Sequence, residues 1–298
     1  MKILLLGKNG QVGWELQRSL APLGELVALA SDSVEWCGDL RDLEGIAATV
    51  RGVAPDIIVN AAAYTAVDRA ESDEANCHAV NAQAPGVLAR EAAHSGALLV
   101  HYSTDYVFDG SGDQPWSEDA PTGPLSAYGR SKLAGEQAIV ATACRHLIFR
   151  TSWVYGARGN NFAKTMLRLA AERERLSVVS DQIGAPTGAE LLADVTAHAI
   201  RAALVRPELD GIYHLAAAGQ TSWHGYARFV IEFARQAGQA LKIGPEAIDA
   251  VDSTAFAAVA PRPKNSRMSL HKLQREFGLE LPDWQVGVAR MLTEFLEK

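Results

Sequence analysis

Tyr128 and Lys132 stand four residues apart, and in a helix that spacing stacks them on one face with the ammonium beside the phenol. A free phenol titrates near about 10. A neighbouring cation favours the phenolate, so the pair is expected to serve as a proton donor near neutral pH, as carbonyl reduction requires. Ser126 is placed to cap such a helix, and Pro124 limits how early it can begin. Upstream, Ser103 and Thr104 offer hydroxyls, and that of Thr104 is expected to hydrogen-bond the same substrate oxygen. A tyrosine and lysine at this spacing are ordinarily no more than a surface pair, so their meaning depends on context.

The elements that must position this group begin at the N-terminus. Residues 3–6 are a continuous apolar run, as expected of a parallel strand covered on both faces. The run ends in Gly7, Lys8, Asn9, Gly10, Gln11, Val12 and Gly13, ahead of a helical pattern over 14–20. Glycines at a strand-to-helix corner let the backbone approach a pyrophosphate at the positive helix end, although the spacing is one residue wider than the common dinucleotide fingerprint. Residues 26–29 read as a second strand. Beyond it Asp32 can serve a ribose and Lys8 a phosphate, so mixed NADH and NADPH use is expected. A short third strand is expected before Gly38, with Asp39 and Leu40 either framing an adenine or, for Asp39, capping the next helix.

Residues 56–60 form a further buried strand, followed by the small-residue turn Ala61, Ala62, Ala63, Tyr64, which leaves room for a cofactor. Helical stretches over 74–81 and 87–93 precede a strand over 97–102, which delivers Ser103 and Thr104 to the sheet edge where ligands of open α/β sheets bind. The expected fold is therefore α/β, a doubly wound parallel (Rossmann) sheet with a smaller C-terminal α/β substrate domain. The dinucleotide-binding domain is expected over 1–152 with 188–216 returning to its sheet, and the substrate-binding domain over 153–187 and 217–298.

The chain's 298 residues, 48% hydrophobic and 21% charged, suit a globular protein of this size. A net charge of -7 argues against nucleic-acid binding, which needs a basic face. Cys37, Cys77 and Cys144 lack the spacing of a disulfide framework or zinc site, so reduced thiols and a cytoplasmic location are expected. No stretch has the length of a membrane span or a signal segment. His101, His214 and His224 read as core or edge histidines rather than catalysts.

The glycine motif, Asn60 to Ala63, Tyr102-Ser103-Thr104 and the Tyr128/Lys132 pair together resemble the extended short-chain dehydrogenase/reductase family over the whole chain. Longer strings, 103–110, 128–136, 150–156, 160–164, 181–187 and 262–267, are similar to those of members that reduce dTDP-linked 4-keto-6-deoxy sugars. Related dehydratases carry Asp-Glu after the threonine, whereas here the pair is Asp105-Tyr106, which favours hydride delivery over elimination. The resemblance implies NAD(P)H-dependent reduction of dTDP-4-dehydro-β-L-rhamnose to dTDP-L-rhamnose for cell-surface polysaccharide. In this scheme Tyr128 protonates the alkoxide, Lys132 lowers the tyrosine pKa and holds the nicotinamide ribose, and Thr104 orients the oxygen. A non-catalytic NADP-binding regulatory subunit and another nucleotide-sugar ketoreductase or epimerase are the rival readings.

The second half adds candidates for the nucleotide sugar. Asp105 and Tyr106 adjoin Thr104, and the resemblance lays Trp153 against the sugar. Arg262, Lys264 and Arg267 share one loop, a local positive site for a diphosphate in a net-acidic chain. In some members of the family magnesium bridges two subunits through glutamates. Glu15 and Glu190 lie in matching motifs and Glu294 in a looser one, which implies magnesium at the interface of a homodimer.

Overall fold

An uninterrupted apolar strand needs cover on both faces, and β1 (Lys2–Leu6) has it in the computed structural model, which describes residues 1–297: Ile3 to Leu6 are fully buried. α1 (Gln11–Leu20), β2 (Glu25–Leu29), α2 (Leu43–Val53) and β3 (Ile57–Asn60) follow. The short α3 (Val67–Ala70) and α4 (Glu74–His78) lead through a π-helical turn, Ala79–Gln83, into α5 (Ala84–Ser95). β4 (Leu98–Thr104), α6 (Ala127–Val140) and β5 (His146–Thr151) come next.

The chain then passes through β6 (Val154–Tyr155), α7 (Phe162–Glu172), β7 (Leu176–Val179), β8 (Ile183–Gly184) and β9 (Thr187–Gly188). α8 (Ala189–Val205) and β10 (Gly211–His214) return to the main sheet, and β11 (Thr221–Ser222), α9 (Trp223–Gln236), β12 (Ile248–Val251), α10 (His271–Phe277) and α11 (Trp284–Leu296) follow.

The main sheet is parallel throughout, in the order β10-β5-β4-β3-β1-β2. Alternate side chains of each strand enter opposite layers. Ile3, Leu5, Val59 and Val100 pack with Leu16, Leu20, Leu192 and Ile200 of α1 and α8, whereas Leu4, Leu6, Ile58 and Leu99 pack with Ile46, Val50, Leu88 and Ile139 of α2, α5 and α6. A second core joins α7, α9 and α11 to the paired β7 and β12 around Met166, Tyr226, Val230 and Met291. The architecture is a doubly wound sheet with an additional C-terminal α/β region.

The third strand expected before Gly38 does not form. Residues 30–42 are turns and bends, and β2 is the sheet edge. Ser31, Asp32 and Ser33 favour turns over pairing, and the Ser33 hydroxyl takes the N–H of Ala30. The helix after this segment is capped by Asp42, which accepts from Gly45, so capping is not the role of Asp39. Among the described residues no helix is long and apolar enough to cross a membrane.

Candidate active site

β2 and β3 flank β1 on opposite sides, so the strand order reverses between β1 and β3, and a cleft of about 930 Å³ opens at the carboxyl ends there. Gly7 leaves β1 with φ +87°, and a Cβ on it would lie 2.7 Å from the Ala62 nitrogen. A Cβ on Gly13 would lie 2.0 Å from the Gly7 carbonyl oxygen, so only glycine lets the corner close. Gly10 starts α1 without a side-chain cap, leaving the first N–H groups of the helix beside Asn9, Gln11 and Val12 in the cleft wall. Gln11 Oε1, Ser103 Oγ and Thr151 Oγ1 are buried without a hydrogen-bond partner among the described residues, and all three residues line the same cleft. A diphosphate-linked dinucleotide fits this set of unpaired donors and acceptors.

Of the residues expected to hold a cofactor, Gly7, Asn9, Gly10, Gln11, Val12, Asp39, Leu40, Ala62, Ala63, Tyr64, Tyr128 and Lys132 line the cleft, and Gly13 shapes it from behind. Ala62, Ala63 and Tyr64 form the wall beyond β3, where the Tyr64 N–H bonds to Asn81 and its hydroxyl to Asp73. Asp39 and Leu40 line the far end together with Arg41, which the sequence reading missed. Arg41 binds the Asp39 carboxylate through both Nε and Nη2 and holds it below the usual carboxylate range. Asp32, in the turn after β2, and Lys8, in the loop between β1 and α1, border a different surface hollow beside β2. Neither takes the position expected of it.

Thr104, the last residue of β4, and Tyr128, in the first turn of α6, share the opposite wall. Ser126 caps α6 by accepting from Gly129, as the sequence predicts. The Thr104 hydroxyl donates to Asp105 Oδ1 at 3.0 Å and lies against the Tyr128 phenol, a contact that favours the phenolate. Lys132, one turn on along α6, also reaches β4. Its ammonium donates to the Tyr102 carbonyl at 2.6 Å and meets His101 Nε2 at 3.2 Å. Burial raises Tyr128 well above its ordinary value, the Thr104 hydroxyl draws it back, and the nearby Asp105 carboxylate adds to the rise. Burial likewise brings Lys132 down to about 8 and Asp105 up to about 6.

Trp153 also borders the cleft, with φ +50°, a strained conformation for a bulky side chain, and its ring stacks on Trp223 at 3.7 Å. Trp223 lines the same wall, a site residue that the sequence did not reveal. Tyr106 meets Tyr128 edge to face at 5.5 Å and contacts Arg262, which is held by Asp68 at 2.7 Å. Arg267 is bonded instead to Gln220 and Asn265, and Lys264 to Asp181. Neither Arg262 nor Arg267 forms part of the cleft wall itself, and only Arg262 reaches a wall residue, Tyr106.

Glu15 and Glu190 are neighbours across the α1–α8 packing. Burial raises Glu190, and the charge of Glu15 raises it further. Among the described residues no group of three or more His, Cys, Asp or Glu side chains is placed to hold a metal, so Glu294 on α11 does not complete one with them inside a single chain.

The family model described as the RmlD substrate binding domain matches residues 1–297. The chain is 58% identical over 294 residues to dTDP-4-dehydrorhamnose reductase of Escherichia coli K12, covering 99% of this chain and 98% of that protein. It is 49% identical to the Burkholderia thailandensis enzyme of the same name over 302 residues, the full length of both. A crystal structure of dTDP-4-dehydrorhamnose reductase from Bacillus anthracis in complex with NADP, 34% identical, superposes with a TM-score of 0.86 over 98% of this chain and 99% of that one. With the glycine corner, Thr104, Tyr128 and Lys132 in one cleft, the chain belongs to the dTDP-4-dehydrorhamnose reductase family of extended short-chain dehydrogenases/reductases.

Proposed function

We infer that the protein reduces the 4-keto group of dTDP-4-dehydro-β-L-rhamnose to give dTDP-L-rhamnose, a nucleotide sugar for cell-surface polysaccharide. The observation that carries this reading is the single cleft in which a glycine corner faces Thr104 and Tyr128. NADH or NADPH, held by the glycine corner and the wall of Ala62, Ala63 and Tyr64, would supply a hydride for the carbonyl carbon. Tyr128 then gives its phenolic proton to the developing alkoxide, and the Thr104 hydroxyl orients that oxygen. A phenol raised by burial stays protonated until negative charge appears beside it, which suits a proton donor. Lys132, at about 8, is available as a cation to the nicotinamide ribose and to the phenolate that remains.

Asp39 is available to ribose hydroxyls and Arg41 to a 2'-phosphate, a pair that supports use of either cofactor. The sugar is placed against Trp153 and beside Asp105 and Tyr106, with its diphosphate towards Arg262. The segments 153–187 and 217–298 serve as the substrate-binding part and 1–152 with 188–216 as the dinucleotide-binding part. The neighbouring Glu15 and Glu190 carboxylates suit a hard divalent cation, so a magnesium-bridged homodimer, with Glu294 supplied across the interface, is the reading of that face. Unchanged sedimentation and activity after chelation would count against it. Three free cysteines support a reducing, cytoplasmic setting.

The deciding assay is incubation of the purified protein with the dTDP-4-keto sugar and NADPH while the reduced-nicotinamide absorbance is followed. Loss of absorbance with the L-rhamno product is the expected outcome. A C4-epimeric product would assign a different ketoreductase, and no oxidation of cofactor would remove the enzyme reading.

A further inference from the structure

Behind Lys132, on β4, His101 is 1% exposed, with Nε2 3.2 Å from Lys132 Nζ and Nδ1 3.2 Å from Asn60 Nδ2. Asn60 and His101 are cross-strand partners in the β3–β4 register, so the sheet itself sets their contact. The amide of Asn60 is oriented in turn, because its Oδ1 accepts the N–H of Ala62, a wall residue of the cofactor cleft. With that oxygen engaged, the group turned to His101 is the NH2, which can only donate. His101 Nδ1 is therefore the acceptor, and a neutral imidazole then carries its proton on Nε2, aimed at the lysine nitrogen.

An N–H aimed at an ammonium is repulsive, whereas aimed at the lone pair of a neutral amine it makes a hydrogen bond. The charged lysine requires the opposite pattern: Nε2 accepts, Nδ1–H donates to Asn60 Oδ1, the amide turns over, and the Ala62 N–H loses its protein partner to face the cleft alone. We propose that His101, oriented by Asn60, is a positioning residue for this reductase that anchors the Lys132 amine and couples its charge to the Ala62 peptide in the cofactor wall. Burial acts in the same direction, lowering Lys132 and holding His101 neutral. The other ionisable groups acting on the lysine are Glu136, one turn on along α6, and the Cys77 thiol of α4. Glu136 favours the charged amine but is itself paired with Arg150 at 2.7 Å.

The kinetic arm of the test rests on the reductase reading, and the spectroscopic arm does not. In the first, kcat is measured against pH for the wild type, His101→Leu and His101→Gln. His101→Leu is expected to lower kcat about tenfold or more and to displace the pH limb of Lys132, with KM for the nucleotide sugar unchanged, while His101→Gln, which keeps a polar partner, recovers most of the rate. In the second, nitrogen NMR of histidine-labelled wild-type protein reads the His101 tautomer. It is expected to be Nε2–H when Lys132 is neutral and to change as the lysine gains its proton. A folded His101→Leu with wild-type kcat and pH profile, a His101→Gln no better than His101→Leu, or a tautomer fixed as Nδ1–H at every pH would each overturn the proposal. Should His101→Leu not fold, the tautomer measurement decides. Absence of turnover in the wild type would remove the reductase reading and leave the tautomer as the sole judge.

Discussion

Tyr128 is the residue on which the chemistry turns, and its surroundings separate its proton-donor role from its packing. The phenol is enclosed by Tyr106, Thr104 and Asp105, so Tyr128→Phe keeps the ring contact with Tyr106 and removes only the hydroxyl. Turnover is expected to fall about 100-fold or more with cofactor affinity retained, as read by steady-state kinetics and cofactor titration. Near-normal turnover would remove Tyr128 from the role. Asp105 makes a different point about the same wall. Its carboxyl is buried and raised from 3.8 to about 6, so the folded chain binds that proton more tightly than the unfolded one. The associated stability is complete below about pH 4 and is lost as the pH rises through about 6. Asp105→Asn keeps the acceptor for Thr104 without the buried charge, and is expected to gain up to about 3 kcal/mol at pH 7.5. Unfolding measured from pH 4 to pH 8 should show that gain vanish on the acid side, and a pH-independent difference would refute it.

Among the elements, the β1–α1 corner is the most demanding. Because a Cβ on Gly13 would strike the Gly7 carbonyl, Gly13→Ala must push α1 away from β1 and misplace the N–H groups at the head of the helix. Cofactor affinity is expected to fall at least about tenfold, by fluorescence titration, with a smaller effect on KM for the nucleotide sugar. Unchanged cofactor affinity would exclude the corner from pyrophosphate binding. This corner was legible because its signal is local: an apolar run, then glycines, then a helical period. The Ser126 cap and the small turn after β3 were legible for the same reason. What stayed hidden depended on contacts between distant segments. Spacing placed Lys132 on the tyrosine face of α6 but could not show that β4 would claim its side-chain nitrogen through Tyr102 and His101. Arg150 and Glu136 appeared only as members of motif strings, yet they form a buried ion pair joining β5 to α6. The expected strand before Gly38 failed where turn chemistry outweighed short-range hydrophobicity.

At the scale of the molecule, the two cores are stitched together by the segment 260–269. Asn265 donates to the carbonyls of Ser111 and Gln114, the Ile183 N–H bonds to the Lys264 carbonyl, and Ala260 and Arg262 both reach Asp68 of α3. One loop thus touches the dinucleotide side through Asp68 and the additional α/β region through β8. Its two arginines, indistinguishable in the sequence, are separated by this arrangement. Arg262 lies against Tyr106 at the cleft, whereas Arg267 is spent on Gln220 and Asn265. A charge-assisted contact to a diphosphate contributes about 1.5–3 kcal/mol, so Arg262→Ala is expected to raise KM for the nucleotide sugar about 10- to 100-fold. Arg267→Ala should change it about threefold or less, since that guanidinium makes protein contacts in place of cleft contacts. KM for NADPH should stay within about twofold in both variants, because Arg262 contacts Asp68 and Tyr106, and Arg267 contacts Gln220 and Asn265, rather than the glycine corner. Steady-state kinetics with each substrate varied in turn would check all three expectations. A larger effect at Arg267 than at Arg262 would mean that the loop turns over when the sugar binds, and that the diphosphate is gripped by the other arginine.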